Sequence, residues 1–414
     1  MSSKILSVQG SKRSRKQTNF DPRLAPSVGA NEGNEETTAP KEPHFRGLPN
    51  KAIIAVTVAL CLFGLMCVFS ASAPEALNNT HDATSYLRKQ TIACMLGMFA
   101  MFTISRYDYR KLRKWAWPTA ILSFIALALT LVPGLSTEAF GSARWLQIGP
   151  FQFQPSEAAK VGSILLLASG LSKHFWWKKE MIIRIGLVMA MAAIVVKQPD
   201  LGSTLMILSG LATLLYVSGT NQMLLFMALL GGAGLVWHKI QSTPYQMARI
   251  ESWINPYEHP QKEGWNIIQA QLAIGSGGLL GLGYGRSLQK LHYLPVQHAD
   301  FIFAVIAEEL GMLGCVSLIA LFMIFGYYGF KTALEARTLF GRLLAIGITS
   351  SICVQATVNI MVTTGILPVT GITLPFISYG GSSLVITLSM VGILLSVSRD
   401  RDQPAEEEEE GLLA

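Results

Sequence analysis

The stretch AIIAVTVALCLFGLMCVFSASA, Ala52 to Ala73, carries no charged residue and no polar face. Wound as an α-helix at about 1.5 Å per residue, it covers the ~30 Å hydrocarbon core of a bilayer. Working outward from it, comparable runs recur at roughly 90–105, 117–133, 158–172, 182–197, 202–218, 222–240, 301–328, 341–364 and 380–397. The runs are continuous and lack the period-two alternation of barrel strands, so they read as helices. The second and fourth are short and are expected to be tilted, half-buried or extended by their flanks. Composition agrees: half of the residues are apolar and 14% are charged, against about 25% charged in soluble proteins. The expected fold class is all-α, a polytopic membrane protein with about ten transmembrane helices and a large outward loop, about 241–300, between spans seven and eight.

Lys and Arg set the expected orientation, because short cytoplasmic loops carry the excess of positive charge. The segment before span one, RYDYRKLRK after span two, KHFWWKK after span four, and Lys331, Arg337 and Arg342 after span eight fall on alternate connections. Both termini are therefore expected in the cytoplasm, and the 241–300 loop and LPVTGITLPFISYGGSS outside. Residues 1–50 are polar and aperiodic and read as a disordered cytoplasmic tail. Residues 51–398 form the ten-span membrane domain, and 399–414, with its Glu run, a second, acidic tail. The five cysteines sit in apolar spans as packing residues and show no zinc spacing.

Polar residues at membrane depth are functional candidates by default. Asp300 stands where a polar loop becomes span eight, either as an N-terminal cap, as a functional carboxylate, or as both. Glu308 and Glu309 follow about 12 Å along the same helix on different faces, so both are not expected to serve one site. Glu157 and Lys160 are spaced i, i+3, which allows a plain ion pair or a lysine held ready for phosphate. Asp200 lies beside a glycine bend, where helix termination competes with chemistry. The glycine-rich segment before Arg286 and Lys290 reads as flexible, basic and able to approach phosphates, but has no P-loop ending. Gln355, Asn359 and Thr363 make a polar stripe along span nine that faces protein or water.

Four blocks, GSGGLLGLGYGRSLQKLHYLPVQHADFIFAVIAEELG, ARWLQIGPFQFQPSEAAK, KQPDLGS and LPVTGITLPFISYGGSS, resemble the signature blocks of the SEDS family of bacterial shape, elongation, division and sporulation proteins. The resemblance covers about 50 to 397, and SLQKLHYLP is similar to the division branch. It implies a peptidoglycan glycosyltransferase that polymerises lipid II into glycan strands at the outer face of the cytoplasmic membrane, at the division septum. The family's essential aspartate matches Asp300, which would act as general base. Val296 and Ala299 stand where the family usually has Glu and Thr, leaving Asp300 as the only carboxylate of the motif. Arg144, Glu157, Lys160, Asp200, Arg286 and Lys290 are the substrate-binding candidates in matching blocks, and a divalent cation, Mg or Mn, is the alternative source of positive charge for the diphosphate. The implied partners are lipid II, the growing glycan strand, a class B penicillin-binding protein with transpeptidase activity and other division proteins, with no nucleic acid. A lipid II flippase and a scaffold for the transpeptidase are the competing functions.

Overall fold

The computed structural model describes residues 47–132, 136–139, 142–148, 151–241, 243–258, 260, 264–290 and 298–400. Val296 and most of both expected tails lie outside these residues. Each of the ten apolar runs is helical: α1 (Lys51–Thr80), α2 (Ser85–Arg106), α3 (Leu112–Leu129), α4 (Pro155–Leu171), α5 (Lys179–Lys197), α6 (Leu201–Val217) and α7 (Gln222–Gln241), and, after an intervening pair α8 (Pro244–Ile254) and α9 (Trp265–Gly277), α10 (Ile302–Glu335), α11 (Leu339–Thr363) and α12 (Gly381–Ser398). Four of them, α1, α10, α11 and α12, are long and apolar enough to cross a membrane by length and composition. The short second run gains residues at both ends to become 22 residues long. The fourth becomes a helix of 17 residues, buried almost throughout, its polar Glu157 and Lys160 included.

Unlike a soluble protein, the bundle is apolar on its outside as well as in its core. Leu62, Phe99, Leu122, Ile182 and Met323 lie exposed on its outside, whereas Gln90, Glu157, Lys160, Glu308, Glu309, Gln355 and Asn359 are buried within. An apolar exterior of this extent would aggregate in water and suits a hydrocarbon solvent.

The all-α expectation needs one correction. The connection between α3 and α4 holds a three-stranded antiparallel sheet, β1 (Ser136–Ala139), β2 (Ser142–Ile148) and β3 (Phe151–Phe153), in that order. Leu146 pairs with Phe153 and Ile148 with Phe151. The aromatic and apolar residues alternate with polar ones around Gly149 and Pro150, a hairpin pattern that the apolar-run reading passed over. The sheet holds Arg144 in its middle strand.

A second departure concerns the glycine-rich segment. Helix α10 is broken at Gly311 (φ 64°, ψ −162°), and residues 277–283 fill the break. The Leu282 and Gly283 N–H groups donate to the carbonyls of Glu308 (2.9 Å) and Glu309 (3.0 Å), while Met312 N–H donates to the Gly278 carbonyl (2.9 Å) and Leu313 N–H to that of Leu279 (3.2 Å). The broken helix thus exchanges its own hydrogen bonds for bonds to the loop, as buried backbone must. A β-carbon on Gly277 would stand 1.9 Å from the Ala307 carbonyl oxygen, and one on Gly281 2.2 Å from that of Glu309. These glycines permit backbone to touch backbone; they are not a loose phosphate-binding loop.

At the other end of the bundle, Arg110 pairs with Asp400 at 2.5 Å and Tyr109 donates to the same carboxylate. Asn50 N–H donates to Ser398. Asp400, expected in the acidic tail, is therefore buried in the folded unit.

Candidate active site

Asp300 is fixed by its backbone. Three successive carbonyls are each taken by a donor: that of His298 by Tyr379 N–H (2.9 Å), that of Ala299 by the Ser378 hydroxyl (2.5 Å) and that of Asp300 by the Asn359 amide (2.9 Å). The segment 298–300 is thus fastened along the irregular 367–380 segment. That segment is itself held by α11, through Asn359 to the Ile372 carbonyl (2.6 Å) and Gln355 to the Thr373 carbonyl (3.0 Å). Gln90 of α2 adds a bond to the Ser378 carbonyl. The polar stripe on α11 is the post to which both halves of the site are tied, and Thr363 extends it by bonding the Asn359 carbonyl.

The Asp300 side chain is not a helix cap. The N-cap position of α10 is Phe301 and has no side-chain cap bond, and among the described residues no hydrogen bond or ion pair reaches the Asp300 carboxylate. Burial pushes its pKa up to about 6, opposed by the guanidinium groups of Arg249 and Arg144 and reinforced by the Asp200 carboxylate. Gly371 floors the space between: a β-carbon there would lie 3.6 Å from Asp300 Oδ2 and 4.0 Å from Arg144 Nη1. Arg144 is aimed by the Gln198 and Pro199 carbonyls (3.3 and 2.8 Å), and Arg249 by the Val369 carbonyl (3.2 Å). One bundle end therefore collects Asp300 and Arg249 from the α7–α10 connection and Arg144 from the α3–α4 connection, two of the five connections expected to face outward, with a third, 367–380, beneath them.

The remaining sequence candidates divide. Asp200 caps α6, accepting from Ser203 N–H (2.9 Å) and the Ser203 hydroxyl (2.8 Å), close enough for its charge to act on Asp300. Glu157 and Lys160 form the expected ion pair at 2.8 Å, but buried rather than exposed. Lys160 also donates to Gln355 (2.7 Å), so it acts on the site through the amide that holds Thr373. Arg286 is exposed, and Lys290 is buried against Glu309 (2.7 Å) and Ser70 (3.0 Å). Neither cation is among those acting on Asp300. Glu308 and Glu309, expected to serve different sites because of their helical angle, both bind the 287–290 segment: Leu288 N–H donates to Glu308 (2.8 Å) and Ser287 N–H to Glu309 (3.4 Å). The extended loop crosses the helix and meets both faces, which a second helix would not do.

Arg249 was missed from the sequence. Its signal is faint, a single basic residue in the amphipathic stretch PYQMARIESWI. Among the described residues no group of three His, Cys, Asp or Glu side chains comes together. Mg²⁺ usually takes one or two carboxylates and completes its shell with phosphate oxygens and water, so Asp300 fits a cation shared with a substrate diphosphate.

Asn359 offers a test of this scaffold. Asn359→Leu frees the Asp300 and Ile372 carbonyls inside the protein, each a loss of about 1–3 kcal/mol. Turnover should fall much more than apparent substrate affinity, with Asn359→Gln no better. Unchanged turnover in the folded Leu variant would remove Asn359 from the site's support.

The family model for cell cycle proteins of the FtsW, RodA and SpoVE type matches residues 50–403. The chain belongs to the SEDS family. This SEDS protein is 39% identical to stage V sporulation protein E of Bacillus subtilis, over 85% of its own length and 97% of the relative's. It is 40% identical to a protein of Geobacter metallireducens named probable peptidoglycan glycosyltransferase FtsW, over 84% and 93%. Two solved SEDS chains share the fold. One, from a study of the structural coordination of polymerization and crosslinking by a peptidoglycan synthase complex, superposes with a TM-score of 0.72 at 32% identity, covering 86% of this chain and 99% of that one. The other is the rod shape determining protein RodA of Thermus thermophilus, with a TM-score of 0.65 at 30% identity, covering 86% and 98%.

Proposed function

We propose that this SEDS protein is a peptidoglycan glycosyltransferase that polymerises lipid II in the cytoplasmic membrane during cell division. The reading rests on one observation: a half-buried carboxylate, free of hydrogen bonds to the described residues, stands among two arginines at the bundle end where the outward connections meet. In the proposed step, Asp300 accepts the proton of the acceptor sugar's 4-hydroxyl as its oxygen bonds to the donor's anomeric carbon. The anomeric bond to undecaprenyl diphosphate breaks, and the electron pair leaves with the diphosphate. General-base help of this kind contributes about 10²–10⁴ in rate. Arg144 and Arg249 face the place where negative charge collects and offset it without reorganising. Ten membrane crossings with both termini in the cytoplasm put this site at the outer face, where the sugars of lipid II are presented. A class B penicillin-binding protein is the fitting partner, since a chain of the same fold belongs to a complex that couples polymerisation to crosslinking.

The test is glycan-strand synthesis by the purified protein from lipid II, with and without that transpeptidase, across pH. A base must be ionised, so synthesis should rise through an acid limb near pH 6 and level off above it. Arg249→Gln removes a cation that holds the Asp300 pKa down, so the limb should move to higher pH. A limb that ignores Arg249 would reject the base assignment. Transfer of intact lipid II across the bilayer without polymer would favour the flippase.

A further inference from the structure

The bundle end opposite Asp300 holds a groove that the proposed reaction does not use. Helix α6 starts at the Asp200 cap and runs 17 residues, about 25 Å of rise, before the chain reverses at Gly219 (φ 80°) and enters α7. This turn and the α4–α5 connection enclose an open groove of about 820 Å³ lined by Trp176, Trp177, Tyr216, Thr220, Asn221 and Gln222. Two features mark it as built to receive something polar. Thr220 is 5% exposed and its hydroxyl has no hydrogen-bond partner among the described residues. The groove also holds the start of α7, where Asn221 takes the Met223 N–H (2.9 Å); the other first-turn amides have no partner within the helix, and their dipole favours an anion.

The walls indicate which anion. Phe175 and Trp177 stack at 4.7 Å, and Trp176 meets Trp177 edge-on at 5.7 Å. Tryptophan and tyrosine with an apolar body and a polar edge collect at membrane–water interfaces. Lys173, Lys178 and Lys179 flank the tryptophans with exposed side chains, the pattern by which proteins hold anionic lipid surfaces. A soluble anion would need the lysines and amides but not a stack of exposed rings at membrane depth. We propose that this groove binds the phosphate head group of an anionic phospholipid in the leaflet opposite Asp300. The Thr220 hydroxyl and the first turn of α7 meet the phosphate, the lysines supply the charge, and the rings pack on the glycerol and upper acyl chain.

The full-length protein, reconstituted in phosphatidylcholine bilayers, would be tested with brominated phosphatidylglycerol against brominated phosphatidylcholine at equal mole fraction, reading tryptophan fluorescence. The anionic lipid should quench more strongly than phosphatidylcholine, as expected where basic residues near the surface attract anionic head groups. That excess should vanish in Trp176→Phe/Trp177→Phe, which removes the reporters, and fall by at least half in Thr220→Val and in Lys173→Gln/Lys178→Gln/Lys179→Gln. Equal quenching by both lipids overturns the proposal, as does an excess that Thr220→Val and the lysine variant leave intact, since that is general charge attraction. Full relief of the excess by inorganic phosphate would assign the groove to a soluble phosphate compound instead. An excess seen only after deletion of residues 403–414 would put the acidic tail there.

Discussion

Asp300→Asn should leave the bundle folded and lower glycan-strand synthesis by roughly 10²–10⁴. Folding is spared because among the described residues the carboxylate makes no hydrogen bond, and α10 starts without a side-chain cap. The three carbonyl bonds that fix residues 298–300 come from the main chain and are kept in any variant. The charge itself opposes folding: an aspartate held near pH 6 in the folded state and near 4 when unfolded is costly to ionise at neutral pH, and Asn removes that cost. Asp300→Ala is equally informative, since no cap is lost with it. The measurement is polymerisation per folded molecule beside a detergent melting curve. Synthesis within a few-fold of wild type in a normally melting Asp300→Asn protein would leave Asp300 without a chemical role. Recruitment of a transpeptidase should persist in the variant, and its loss would tie scaffolding to the same carboxylate.

What the sequence made legible followed from physics that acts locally. Each of the ten apolar runs is a helix because a run of that length has no other way to satisfy its backbone in hydrocarbon. Asp300 stood out because an ionisable group where a polar loop enters an apolar membrane helix is a functional candidate by default. The sheet around Arg144 is hidden because its strands are short and mix polar with apolar residues, so they form no apolar run. Arg249 was hidden because its partner lies 51 positions away in the chain, and nothing local says that α8 folds back over Asp300. Arg286 and Lys290 are ambiguous for another reason. Glycines followed by cations suit a phosphate loop, but they equally suit a segment that must press its backbone against a broken helix. Only Gly311, whose φ is positive in the middle of an apolar helix, decides between them. The same break explains why Glu308 and Glu309 share one partner segment, against the helical wheel.

Lys290 therefore carries the second large effect, and it is on stability. Its ammonium lies 2.7 Å from Glu309, and both side chains are buried, with Ser70 donating to the same carboxylate. Removing one member of a buried pair leaves the other charge without compensation, a loss of about 3–5 kcal/mol. Lys290→Met should accordingly lower the melting temperature sharply and reduce the yield of folded protein, and Glu309→Gln should do the same from the other side. The double variant, which leaves no charge stranded, should recover part of the loss, with a coupling energy of about 0.5–3 kcal/mol in the double-mutant cycle. Per folded molecule, polymerisation should stay near wild type, because Glu309 lies roughly 13 Å along the helix from Asp300 at 1.5 Å per residue. A phosphate-binding lysine predicts the reverse pattern, normal melting with weakened use of lipid II. If Lys290→Met melts normally and loses turnover, Lys290 belongs to the substrate site, and the Gly311 break with its inserted loop becomes part of the active site rather than its buttress.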